Sequence, residues 1–174
     1  MPEEILAELL SGKGWRIAVA ESCTGGLLSH RITNIPGSSR YFLGGVITYA
    51  NMTKEQLLGV PHLLLENYGS VSEETAIAMA TGCKKLFASE IAIAITGIAG
   101  PAGGSKLKPI GSCYIALASQ QDVICRSFCW QGDRLRIKQN SVDAAFQMVI
   151  EYLSANLREC KQEDKENATS PHYS

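Results

Sequence analysis

Ser22, Tyr49 and Lys54 are the residues whose types could do chemistry together: a hydroxyl nucleophile, a phenol, and an amine that accepts a proton once it is neutral. Ser22 lies in the run Ala20-Glu21-Ser22-Cys23-Thr24-Gly25-Gly26, after an apolar strand candidate at 15–20. Beyond the run, Leu27, Leu28, Arg31 and Ile32 recur at helical spacing. This order predicts a nucleophile at a helix N-terminus. The glycines let the backbone turn sharply and let a ligand approach main-chain N–H groups. Those groups and the positive helix end would stabilise a phosphate or the oxyanion of acyl transfer. A plain strand-to-helix turn, with Gly for geometry and Ser or Thr for capping, accounts for the segment equally well.

Ser22 needs a base. Of the three histidines, His172 lies in the polar tail, His62 follows a proline, and only His30 is near the motif, at a position that also suits a solvent-facing residue. That leaves Lys54. Its ordinary pKa of about 10.4 keeps it charged at neutral pH. The spacing of Thr53 and Gln56 resembles a capping box and predicts that Lys54 falls in the first turn of a helix capped by Thr53. The positive helix end and partial burial would both lower its pKa there. Tyr49, at the end of a strand candidate, is placed to relay a proton or hold the lysine. The plain alternatives are a solvated surface lysine and a half-buried strand aromatic. Cys23 is the rival nucleophile, since a helix N-terminus lowers a thiol pKa, yet it lacks a histidine partner. Thr24 reads as a cap accepting from a backbone N–H.

The elements that must position these residues alternate. Ile5, Leu6, Leu9 and Leu10 predict a helix from Pro2 that stops at Gly12 and Gly14. Further strands are expected at 43–50, 91–96, 113–118 and 123–130, the last two joined by a short hairpin and therefore antiparallel. Ser72 caps a longer helix whose stripe is Ala76, Met79, Ala80, Cys83 and Phe87. A last helix, expected over 133–157, carries Val142, Phe146, Val149, Ile150 and Leu153 on one face. This is a single three-layer α/β/α domain over 1–160 with a mixed, mostly parallel sheet, followed by a flexible polar tail at 161–174. Three polar clusters, 22–26, 49–54 and 96–104, follow the C-terminal ends of strands, the edge where open α/β sheets bind ligands.

The chain has 174 residues, a formal net charge of −1 and no basic run, which argues against nucleic acid as a partner. No apolar stretch reaches membrane-spanning length and the N-terminus is acidic, so no membrane association and a cytoplasmic location are expected. Six cysteines without a CxxC pair or a histidine cluster predict free thiols and no metal site.

Six ordered motifs then carry a resemblance: Ala20 to Gly26; Gly45-Val46-Ile47-Thr48-Tyr49-Ala50-Asn51 with Lys54; Gly69-Ser70-Val71-Ser72-Glu73; Thr96-Gly97-Ile98-Ala99-Gly100-Pro101; Lys108-Pro109-Ile110-Gly111; and Gly132-Asp133-Arg134. Together they resemble the CinA C-terminal domain family, whose stand-alone members include nicotinamide-mononucleotide deamidases. The resemblance covers all but the tail. It implies a cytoplasmic serine-lysine amidohydrolase, without metal or cofactor, that hydrolyses nicotinamide mononucleotide to nicotinate mononucleotide and ammonia, returning the ring toward NAD. On that pattern Ser22 attacks the amide, Lys54 is the general base and Tyr49 assists. Thr24, Gly25, Gly26, Asn51, Thr96, Gly97 and Gly100 would line the nucleotide site, with Arg134 on the phosphate. The implied partner is a small nucleotide substrate, and assembly into a homo-oligomer stays open. Lys138 stands where many relatives have a second arginine, and Ala50 where a serine is frequent. The companion N-terminal domain of longer members is not expected here, nor any pyrophosphatase activity tied to it. The alternative is a non-catalytic nucleotide-binding or regulatory domain of the same fold.

Overall fold

A computed structural model describes residues 1–168, with side chains described through Ala155. Helix α1 (Pro2–Lys13) begins with Pro2 and two acids in its first turn, which suit the positive helix end, and closes on Gly14 in the left-handed conformation. There follow β1 (Ile17–Glu21), α2 (Leu27–Thr33), a 3₁₀ turn at Ser38–Arg40, β2 (Phe42–Ile47), α3 (Asn51–Leu58), α4 (His62–Tyr68) and α5 (Glu73–Phe87). The chain continues through β3 (Ile91–Gly97), β4 (Ser112–Ala118), β5 (Val123–Cys129) and α6 (Arg134–Ala168).

The five strands form one sheet in the order β2-β1-β3-β4-β5. β1 pairs in parallel with both β2 and β3, while β4 runs antiparallel to β3 and β5. Four strands thus point one way, and the sheet is mixed as expected. Alternation along the central strands sorts the two faces. Ile17, Val19, Ile91, Ile93, Ile95, Ile115 and Leu117 face a layer containing Leu6, Leu10, Leu28, Ile32, Phe146 and Val149 from α1, α2 and α6. Ala18, Ala20, Ala92, Ala94, Ala116 and Ala118 face α5 through Ala76, Met79, Ala80 and Cys83. Branched side chains on one face and methyl groups on the other let α5 lie close to the sheet while the opposite layer fills a deeper core. The approach is tightest between helices: a Cβ at Gly82 of α5 would lie 1.9 Å from the Leu58 carbonyl oxygen. α3 is thereby locked end-on against α5.

Several elements differ from the sequence reading. α3 starts at Asn51 with Ala50 as its N-cap, and the Thr53 hydroxyl donates to the Ala50 carbonyl at 2.7 Å instead of capping. Lys54 stays in the first turn. α4 is an additional helix: its three consecutive leucines lack helical spacing, and Pro61 supplies the N-cap. β2 ends at Ile47, so Tyr49 lies in the loop beyond the strand. α6 runs on past Leu157 to Ala168, so the first part of the segment read as a tail has helical backbone. Residues 169–174 of that tail, His172 among them, lie outside the described residues.

Candidate active site

The register aligns the strand ends. Glu21, Ile47 and Gly97 close β1, β2 and β3 on one edge of the sheet, and the antiparallel β4 begins there, opposite both Gly97 and the end of β5. α6 leaves from the same edge, which brings Arg134 to the loops that follow β1, β2 and β3. Between them lies a cleft of about 420 Å³ bordered by Ser22, Tyr49, Ser70, Gly100, Lys108 and Arg134, among others.

Ser22 immediately follows β1 and is held by its own N–H, which donates to the Ile95 carbonyl at 3.0 Å. Lys54 comes from the other side and is fully buried, with no exposed surface. Its Nζ lies 3.2 Å from Ser22 Oγ, 2.7 Å from the Thr48 carbonyl oxygen and 3.3 Å from the Tyr49 carbonyl oxygen. Burial lowers its pKa from the ordinary lysine value, against the smaller pull of the nearby Cys23 sulfur. The two carbonyls can only accept. A neutral Lys54 amine therefore spends both N–H bonds on Thr48 and Tyr49 and leaves its lone pair to accept from the Ser22 hydroxyl. The charged form donates to all three oxygens. One constellation serves both protonation states, which is what a group that takes and returns a proton needs.

Of the two roles expected of Tyr49, relaying a proton or holding the lysine, its main chain serves the second. Its side chain is 60% exposed, and its hydroxyl accepts from Arg134 Nη2 at 3.0 Å; the carbonyl is the atom that meets Lys54. Arg134 Nη1 donates to the Gly100 carbonyl at 2.6 Å, so this guanidinium ties the β2 loop to the β3 loop across the cleft.

Glu21 revises the reading of the Ser22 turn. Its buried carboxylate accepts from the Thr24 hydroxyl and the N–H groups of Gly26 and Leu28 at one oxygen, and from the Ser29 N–H and hydroxyl at the other. The positive end of α2 is thus already occupied by a carboxylate of the chain itself, and those N–H groups do not face a substrate anion. The Thr24 hydroxyl is a donor to Glu21, not a cap. Thr24, Gly25, Gly26 and Asn51 stay off the cleft wall, whereas Gly97 and Gly100 line it. Thr96 is buried behind the wall, its hydroxyl donating to the Ser70 carbonyl at 2.6 Å and so fixing the loop before α5. His30 is exposed on α2, away from the cleft.

Cys23 is buried between the core and the floor of the cleft. A hydrogen bond with Cys113 and burial hold its thiol well above the ordinary value, opposite to the lowering expected from a helix end. Sequence reasoning missed Glu21 as the organiser of the turn, although it stands inside the motif, because its partners are spread over the next three to eight residues. It also left Lys108 without a role, though the Lys108-to-Gly111 run was conspicuous.

A buried lysine thus stands beside a serine at the C-terminal edge of a mixed sheet in a three-layer α/β domain. The chain belongs to the CinA family: the CinA C-terminal domain model matches residues 1–153. A CinA-like protein of Geotalea uraniireducens is 50% identical over 136 residues, covering 78% of this chain and 32% of the relative. One from Chloroherpeton thalassium is 48% identical over 158 residues, covering 88% and 38%. The chain therefore spans about a third of the length of these relatives. The crystal structure of the competence/damage inducible protein CihA from Agrobacterium tumefaciens superposes with a TM-score of 0.84 at 35% identity, over 88% of this chain and 95% of that one.

Proposed function

We propose that this protein is a serine-lysine amidohydrolase that deamidates nicotinamide mononucleotide. The observation that carries the reading is the 3.2 Å approach of a fully buried Lys54 amine to Ser22 Oγ, with two main-chain carbonyls as its remaining partners. Ser22 Oγ attacks the carboxamide carbon while Lys54 Nζ takes its proton. The tetrahedral adduct then collapses, Lys54 returns the proton to the departing nitrogen, and ammonia leaves an ester on Ser22. Lys54 next takes a proton from water, whose oxygen attacks the ester carbon, and the Ser22 hydroxyl is restored as the carboxylate product departs. A surface lysine without burial would be charged and unable to begin this sequence.

A cleft of about 420 Å³ suits a mononucleotide. The raised Cys23 thiol supports Ser22 over its neighbour as nucleophile. The test is release of ammonia and nicotinate mononucleotide when the purified chain meets nicotinamide mononucleotide. A non-catalytic nucleotide-binding domain would bind the compound and release neither product.

A further inference from the structure

The cleft is electrostatically one-sided. Its walls carry two cationic side chains, Lys108 and Arg134, and among the described residues no aspartate or glutamate lines it. Neither cation forms an ion pair among those residues. The two differ in what they have left to give. Arg134 already spans Gly100 and the Tyr49 hydroxyl, which makes it part of the cleft frame. Lys108 lies on the Ser70 side, where its Nζ donates to the Tyr68 carbonyl and stands 3.4 Å from the place a Gly69 Cβ would occupy. Two of its three N–H donors have no partner among the described residues.

Lys108 is also presented deliberately. The loop between β3 and β4 is pinched at its neck by Ile98 N–H to the Ser112 carbonyl and Gly111 N–H to the Ile98 carbonyl, both at 2.8 Å. Within it, Ser105 N–H donates to the Lys108 carbonyl at 2.8 Å and Lys108 N–H to Ser105 Oγ at 3.0 Å. This closed turn leaves Lys108 half-buried at the cleft, while Lys106, two residues earlier, is exposed and off the wall. The Lys108 ammonium, held by one main-chain carbonyl and with no counter-ion among the described residues, is open to an arriving anion.

We propose that Lys108 is the specificity-determining residue that binds the phosphomonoester of the substrate, a role the family resemblance implied for Arg134. A phosphomonoester carries roughly −1.5 to −2 charges at neutral pH, which matches a wall with two cations and no acids. Lys108 supplies two charge-assisted hydrogen bonds, and the Gly69 backbone leaves room for the oxygens beside it. The inference rests on the deamidase reading for the identity of the nucleotide, but the anion site stands on its own geometry.

The test compares kcat/KM for nicotinamide mononucleotide with that for its phosphate-free nucleoside, in the unmodified protein and in Lys108→Met, Lys108→Arg and Lys106→Met. In Lys108→Met the phosphorylated-to-unphosphorylated ratio should fall about tenfold or more, the worth of hydrogen bonds to a charged group. The fall should come mainly through KM, with Lys108→Arg recovering most of it and Lys106→Met matching the unmodified protein. An unchanged ratio, or equal losses on both substrates, would overturn the proposal. If the unmodified protein hydrolyses neither compound, the deamidase reading fails and inorganic phosphate becomes the probe. A phosphate-induced rise in Tm that disappears in Lys108→Met upholds the anion site, and one that persists, or is absent from the unmodified protein, overturns it.

Discussion

Lys54 Nζ and Ser22 Oγ stand 3.2 Å apart although 32 residues separate them, and the amine has no exposed surface. β1 delivers the serine, the first turn of α3 delivers the lysine, and the parallel β1–β2 pairing fixes the distance between their supports. From this relationship the expected behaviour of particular variants follows.

Ser22→Ala should lower turnover about 1,000-fold or more, since removing a nucleophile leaves only binding and electrostatic contributions. Nucleotide binding should remain largely intact. Cys23→Ser should keep most activity, because that thiol is turned to Cys113 and held protonated. Steady-state kinetics and equilibrium binding on both variants make the check; an active Ser22→Ala with a dead Cys23→Ser would reverse the assignment.

Glu21→Gln should unfold at lower urea, by about 3 kcal/mol, because an amide cannot accept all five of the donors that Glu21 satisfies. At least one main-chain N–H at the start of α2 is left facing an NH₂ group. Activity should drop with stability, since the same turn sets Ser22. Urea midpoints with unchanged m-values, measured against the unmodified protein, decide it.

Gly82→Ala should cost about 3 kcal/mol or disturb α3, because its Cβ would overlap the Leu58 carbonyl oxygen at 1.9 Å and backbone cannot swing aside as a side chain can. A variant as stable and active as the unmodified protein would mean that the α3–α5 contact does not hold Lys54 in place.

The fold was legible where periodicity was clear. The Ile-Ala alternation at 91–95 predicted a buried strand, and its two-sided burial is what the three layers use. The Ser72 cap was legible too: its Oγ accepts from the Thr75 N–H at 3.2 Å. α4 was not, because Leu63, Leu64 and Leu65 run consecutively and only Leu65 is buried. Of the site, the residue types of Ser22 and Lys54 were readable, but the contacts that give them meaning were not. A carboxylate reaching forward to Ser29, or a phenol turned to an arginine 85 residues away, leaves no local pattern. Polar tertiary contacts depend on where loops converge, and loop shape is set by the whole sheet edge.

Lys54 also links the site to pH. Its folded pKa lies below the ordinary lysine value of 10.5 because burial penalises the charged form. Between the two values the unfolded chain holds a proton that the folded chain has released, so the contribution of this group to stability rises with pH across that window. At lower pH both states bind the proton and the burial penalty is carried in full. Urea unfolding of the unmodified protein and of Lys54→Met should show a stability difference that shifts in favour of the unmodified protein as pH increases toward 10.5; a pH-independent difference would contradict the assignment.

The central claim, that Lys54 is the base for Ser22, is tested most directly by the pH dependence of kcat/KM for nicotinamide mononucleotide in the unmodified protein and in Lys54→Arg. The unmodified protein should gain activity with pH along a single-proton limb whose midpoint lies below 10.5. Lys54→Arg keeps the charge but cannot release a proton in this range, so it should be nearly inactive at every pH at which it remains folded by circular dichroism. Turnover by folded Lys54→Arg near the unmodified rate would make Lys54 a charge anchor and contradict the account.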